Sequence, residues 1–177
     1  MTDHTNHVAE RLGAPVSMLG RVDDFDFLTG AWRVEHRRLR RRWVASDDWD
    51  HFDGTSWCEP RLGGLANVDQ VDCPSRGFSG LTLRVFDPTA AQWSIWWINS
   101  ITGRLEPPVI GGFGTDGGSP VGVFEGPDLD DGRPIRVRFT WTVVDGDHAR
   151  WQQAFTADGV DWEVNWVMDF HRTEGAR

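Results

Sequence analysis

Few residues in this chain are spaced for chemistry, and they are mostly arginine, histidine, glutamate and indole. In Ala31-Trp32-Arg33-Val34-Glu35-His36-Arg37 apolar and polar residues alternate, so Trp32, His36 and the following Arg38 share one face of a strand. A histidine held there could act as an acid or base, and an arginine could grip an anion with two hydrogen bonds. The other candidates lie near the C-terminus, in Arg138-Phe139-Thr140-Trp141 and in Trp162-Glu163-Val164-Asn165-Trp166. If the last strand turns Glu163 inward, it is the best general acid or base. Burial would raise its pKa and Arg138 would lower it.

Other patterns fail on inspection. Gly112-Phe113-Gly114-Thr115-Asp116-Gly117 matches a dinucleotide loop, but Ser119-Pro120 and another strand follow where a helix is required. The acidic stretch from Asp48 to Glu59 places Phe52 at a calcium-ligand position and its glycine one residue late. No Cys/His set has zinc spacing, and the pair His4 and His7 stands alone. No Gly-x-Ser-x-Gly elbow is present. Neither a metal nor a cofactor is therefore expected. Six arginines fall between Arg33 and Arg42, and Arg40, Arg41 and Arg42 are expected to pair with the acidic run Asp47 to Asp53 on the next strand.

The elements that must position these residues are strands. The chain has 177 residues, enough for one domain, with 39% hydrophobic and 25% charged residues, which excludes a disordered chain. Period-two alternation recurs at 81–86, 135–143, 151–155 and 162–170, while 93–99 is apolar on both faces and should be covered on both. Asp-Gly pairs at Asp53, Asp116, Asp131, Asp145 and Asp158 read as turns between strands. The fold class is all-β, an up-and-down antiparallel barrel of about eight to ten strands with polar outer faces. Residues 1–23 form an irregular lead with at most a helical turn at Val8 to Leu12, residues 24–173 the barrel and 174–177 a tail.

The 11 tryptophans imply either an aromatic cavity or a solid aromatic core. Exposed indoles are unfavourable, so Trp32, Trp97, Phe139, Trp141, Trp151, Phe155, Trp162, Trp166, Met168 and Phe170 are expected to face inward. His36, Arg38, Asn99 and Gln153 are in register with them. Arg138, Gln152, Glu163, Asn165 and Asp169 then face water; with the C-terminal strands reversed, Arg138, Glu163 and Asn165 become an inward polar cluster. The expected ligand contacts are thus Trp32, Arg38, Trp97, Asn99, Arg138, Trp141, Trp151, Gln153, Asn165 and Trp166, with Glu163 and His36 catalytic if the protein is an enzyme.

Gly30-Ala31-Trp32 on the first strand, with Arg172 after the last, resembles the lipocalin and calycin pattern, in which the arginine stacks over the tryptophan at one barrel end. Leu62-Gly63-Gly64, Glu106-Pro107-Pro108-Val109 and the Arg138 and Trp162 segments are similar to a group of uncharacterised bacterial lipocalin-like proteins. The resemblance implies a barrel with a cavity, not a reaction. A net charge of −9 argues against a nucleic-acid partner, and no apolar run is long enough to span a membrane as a helix. The N-terminus lacks a secretory signal, so a cytoplasmic location is expected. The leading expectation is a barrel binding a small apolar or aromatic, optionally anionic, ligand, with a homodimer as an option. One alternative is a cofactor-free cyclase, isomerase or decarboxylase of a polyketide, terpenoid or phenolic substrate. The other is a haem-binding barrel resembling nitrobindin, with His171 the one candidate ligand near the last strand.

Overall fold

A computed structural model describes residues 19–174. The helical turn expected at Val8 to Leu12 and the pair His4 and His7 lie outside the described residues. Ten strands run β1 (Gly30–Leu39), β2 (Trp49–Arg61), β3 (Ala66–Cys73), β4 (Phe78–Asp87), β5 (Gln92–Asn99), β6 (Val109–Asp116), β7 (Ser119–Asp130), β8 (Arg133–Val143), β9 (His148–Thr156) and β10 (Glu163–Arg172). Each pairs antiparallel with its neighbours in the chain, and β1 closes on β10 to complete an up-and-down barrel. Closure gives every described strand a partner on both sides.

Turn chemistry sets the short connections. Between β7 and β8 the two residues Asp131 (φ 50°) and Gly132 (φ 81°) are both left-handed, the geometry that Asp-Gly supplies most readily. Asp116-Gly117, Asp145-Gly146 and Asp158-Gly159 also sit at strand ends or in connections. Asp53-Gly54 does not: it lies in the middle of β2. Gly54 is needed there because a Cβ would stand 2.8 Å from His36 Nε2 and 2.8 Å from the Asp72 carbonyl oxygen.

The termini of the barrel chain seal one end. The Trp32 indole donates to the Leu28 carbonyl (2.7 Å), and Arg172 lies over its ring with the guanidinium carbon 4.2 Å from the centroid. Arg172 also donates to the carbonyls of Phe27 (2.6 Å), Thr29 (2.8 Å) and Gly146 (3.0 Å). Phe25 plugs the same end, edge-on to Trp93 and Phe113 with ring centroids 5.1 and 5.0 Å away.

Two features depart from the sequence expectation. On β4 the apolar set faces out: Phe78, Gly80, Thr82 and Arg84 are buried on the inner face, while Leu81 and Leu83 lie outside against Ile98 and Trp96 of β5. Polar outer faces therefore do not hold for this part of the wall, and the outer side of β5 is only half covered. The arginine run also behaves differently. β1 ends at Leu39, so Arg40 to Arg42 belong to a loop. Arg40 does meet Asp50 (2.9 Å), but Arg42 pairs with Asp130 at the end of β7 (2.5 Å) instead of the acidic run.

Candidate functional site

The candidate site is built from β1, β3, β4, β5, β8, β9 and β10. Arg38 and Trp166 are directly opposite each other on β1 and β10, and the Arg38 guanidinium carbon lies 4.7 Å from the Trp166 ring centroid. Arg38 is partly buried, and among the described residues it has neither a carboxylate within 4 Å nor a side-chain hydrogen bond. Its cross-strand neighbour Asp50 is already engaged by Arg40 and Arg76. Burial, and then the positive charge of Arg42, depress its pKa, against smaller opposing contributions from Asp50, Cys73 and Asp130.

One step deeper on β1, His36 is 1% exposed, and both its ring nitrogens are engaged. Nδ1 accepts from Trp166 Nε1 (3.2 Å), and Nε2 lies 3.5 Å from Cys73 Sγ. Burial, then repulsion from Arg38, lowers its pKa to about 4, while burial raises Cys73 to about 11. At neutral pH this is an uncharged histidine beside a thiol. It is a structural contact, not an activated pair.

Below Arg38 the barrel encloses a cavity of about 40 Å³ walled by Trp97, Phe139, Trp141, Trp151, Gln153, Trp166, Met168 and Phe170 together with Asp69, Thr82 and Arg84. That is room for about three water molecules. The rings fill most of the remaining space edge-to-face, for example Trp151 against Trp166 at 5.6 Å and Phe139 against Trp151 at 4.9 Å. The interior is thus neither a roomy pocket nor solid. Trp97 is held by Gly80, where a Cβ would come within 1.7 Å of its ring. Trp97, Phe139 and Gln153 stay partly exposed although they face inward. β5 and β6 pair only over Trp93–Ile95, so beside Trp97 the wall continues as the 100–108 loop, tied by Glu106 N–H to the Trp97 carbonyl (2.9 Å).

A β-bulge decides which way the start of β10 faces. Register shifts between Val164 and Trp166, with Asn165 as the extra residue. Trp166 therefore faces inward and so does Glu163, opposite Phe155, although they differ in parity. Glu163 Oε2 accepts the backbone N–H of Trp43 (2.8 Å), and Oε1 is buried without a partner. Trp43 lies over the barrel mouth, stacked on Phe155 (6.3 Å), with its indole N–H on Asp130 (2.6 Å). Burial works to raise the Asp130 pKa, but hydrogen bonds from Arg42 and Trp43 outweigh it and hold the carboxyl below its ordinary range.

The expected contacts therefore divide. Arg38, Trp97, Trp141, Trp151, Gln153 and Trp166 gather around the cavity or its mouth. Trp32 belongs to the sealed end. Asn99 caps its own loop by accepting from Ile101 N–H (2.8 Å), and Asn165 accepts from Gln153 Nε2 (2.8 Å). Arg138 points away from the interior: its neighbour Phe139 faces the cavity, while Arg138 binds Glu125 and lies 3.9 Å from the Trp162 ring centroid. Trp162 precedes β10 and is not part of the inward set. His171 also faces out, stacked on His148 at 4.8 Å, because Phe170 takes the inner face. Asp69, Thr82, Arg84 and Trp43 were not anticipated; the signal available was Phe78 and Phe86, aromatic residues in register with Thr82 and Arg84.

Among the described residues no group of three or more His, Cys, Asp or Glu could hold a metal ion, and no described helix is long and apolar enough to cross a membrane. No protein-family model matches the chain. No curated protein matches it either. Among solved structures it is similar to a redesigned β-barrel, at 12% identity and a TM-score of 0.45, covering 89% of this chain and 99% of that one.

Proposed function

We propose that the barrel binds a small aromatic carboxylate, with Arg38 as its anion contact and the indoles of Trp97, Trp151 and Trp166 around its body. The observation that carries this is Arg38 itself. A guanidinium facing an aromatic interior, stacked on an indole and lacking an anionic partner among the described residues, is suited to a bidentate carboxylate contact. The small cavity means that a ligand must displace side chains, and Trp97, Phe139 and Gln153 are the partly exposed members of its wall. The lipocalin-like resemblance draws support from Arg172 over Trp32. A net charge of −9 favours a small-molecule partner over nucleic acid. Native mass spectrometry of the purified protein tests the proposal: an aromatic acid retained by the wild type and lost from Arg38→Gln supports it, and an equal mass in both opposes it.

A second reading is an enzyme of the same ligand class, favoured by one feature. Glu163 is turned to the mouth by the bulge and keeps a buried oxygen without a partner. An acid–base role predicts that Glu163→Gln stops turnover while leaving ligand affinity intact. His36 is a poorer candidate, since burial keeps it neutral and both its nitrogens are engaged.

A further inference from the structure

Part of the cavity wall is charged. Arg84 is 3% exposed and Asp69 6%, and both face the interior. Arg84 Nη1 donates to Asp69 Oδ1 and to Asn67 Oδ1 (2.9 Å), and its guanidinium carbon lies 5.6 Å from the Trp141 centroid. Its Nε–H is buried and has no acceptor. Asp69 Oδ2 receives a long bond of 3.4 Å from Thr82 Oγ1.

These vacant hydrogen-bonding capacities describe a chemical group. The ion pair is neutral as a whole, so a second charge beside it would be buried without compensation. The missing group must accept from Arg84 Nε–H and can donate to Asp69 Oδ2. A carbonyl only accepts and an ammonium only donates, whereas a carboxylate would meet the Asp69 charge. A hydroxyl, water's or a ligand's, does both and is small enough for a 40 Å³ cavity.

We propose that Asp69, Thr82 and Arg84 form a hydroxyl-recognition site, so that the ligand is a hydroxylated aromatic acid with its hydroxyl at Arg84 and its carboxylate at Arg38. This rests on the carboxylate-binding reading of Arg38 and narrows it to one substrate class. Burying Arg84 and Asp69 within the barrel has a selective advantage in this arrangement, because an analogue without the hydroxyl leaves Arg84 Nε–H unpaired.

Matched probes test it: 2-naphthoate and 6-hydroxy-2-naphthoate, titrated calorimetrically into the wild-type protein. The hydroxylated probe is expected to bind about tenfold more tightly, the size of one well-placed hydrogen bond to a charged group. In the paired variant Asp69→Asn/Arg84→Met, which leaves no lone buried charge, the ratio of the two affinities should fall to about one. Thr82→Val should reduce the preference and retain the ion pair, which covers the case in which the double variant does not fold. Equal affinity of the two probes for the wild type means that the pair is purely structural and overturns the hydroxyl site alone. Binding of neither probe overturns the carboxylate reading and this one with it.

Discussion

Arg172 and Trp32 close the barrel together: the guanidinium lies 4.2 Å from the indole centroid and ties down three carbonyls from Phe27, Thr29 and Gly146. Trp32 in turn donates to Leu28, so the residues leading into β1 and the end of β10 hold one another across the sealed end. That end is a structural clamp.

Trp32→Ala should therefore destabilise the fold by about 3–5 kcal/mol, as large buried truncations do. Arg172→Lys keeps the charge but loses the planar stack and the multiple carbonyl bonds, and should cost about 1–2 kcal/mol. Urea unfolding of each variant measures this, with ligand affinity unchanged in both at saturating stability.

His36 makes stability depend on pH. Its folded pKa of about 4 is below the ordinary 6.5, so between those values the unfolded chain binds more protons. Stability from this group is complete above about pH 6.5 and falls as pH drops towards 4, by roughly 2 kcal/mol at pH 5. His36→Gln keeps an acceptor for the Trp166 indole and should flatten the profile in that window. Urea midpoints taken between pH 7 and 5 would show it.

Gly80→Ala should dislodge Trp97, since the added methyl would stand 1.7 Å from the ring. A cost of about 1–3 kcal/mol is expected for such overpacking, with a shifted tryptophan emission. Thermal unfolding and fluorescence on the same sample check both parts.

Trp43 covers the mouth through contacts to Phe155, Glu163 and Asp130. Trp43→Ala should speed probe entry and make the inner indoles more sensitive to acrylamide. Stopped-flow association of 2-naphthoate reads the first effect, and quenching the second.

The barrel itself was legible because alternation and Asp-Gly turns are local. The Trp32–Arg172 contact was implied by the resemblance of Gly30-Ala31-Trp32 and the late Arg172 to the lipocalin and calycin pattern, and the two residues do meet. Orientation was harder. The Asn165 bulge shifts register by one residue, and that turned Glu163 inward while Trp166 stayed inside. On β4 the expected polar outer face does not hold, because a buried Arg84–Asp69 pair takes the inner positions, and only the two strands together reveal it. Gly54 looked like a turn residue and is instead the space that His36 occupies.

The most direct measurement is the calorimetric affinity of 2-naphthoate for the wild-type protein and for Arg38→Gln. The anion contact proposed for Arg38 predicts that the variant binds about 10- to 100-fold more weakly, as expected when a charge-assisted pair is removed, and that naphthalene is unaffected by the change. Equal affinity of the two proteins for 2-naphthoate, or no binding to either, would contradict the account.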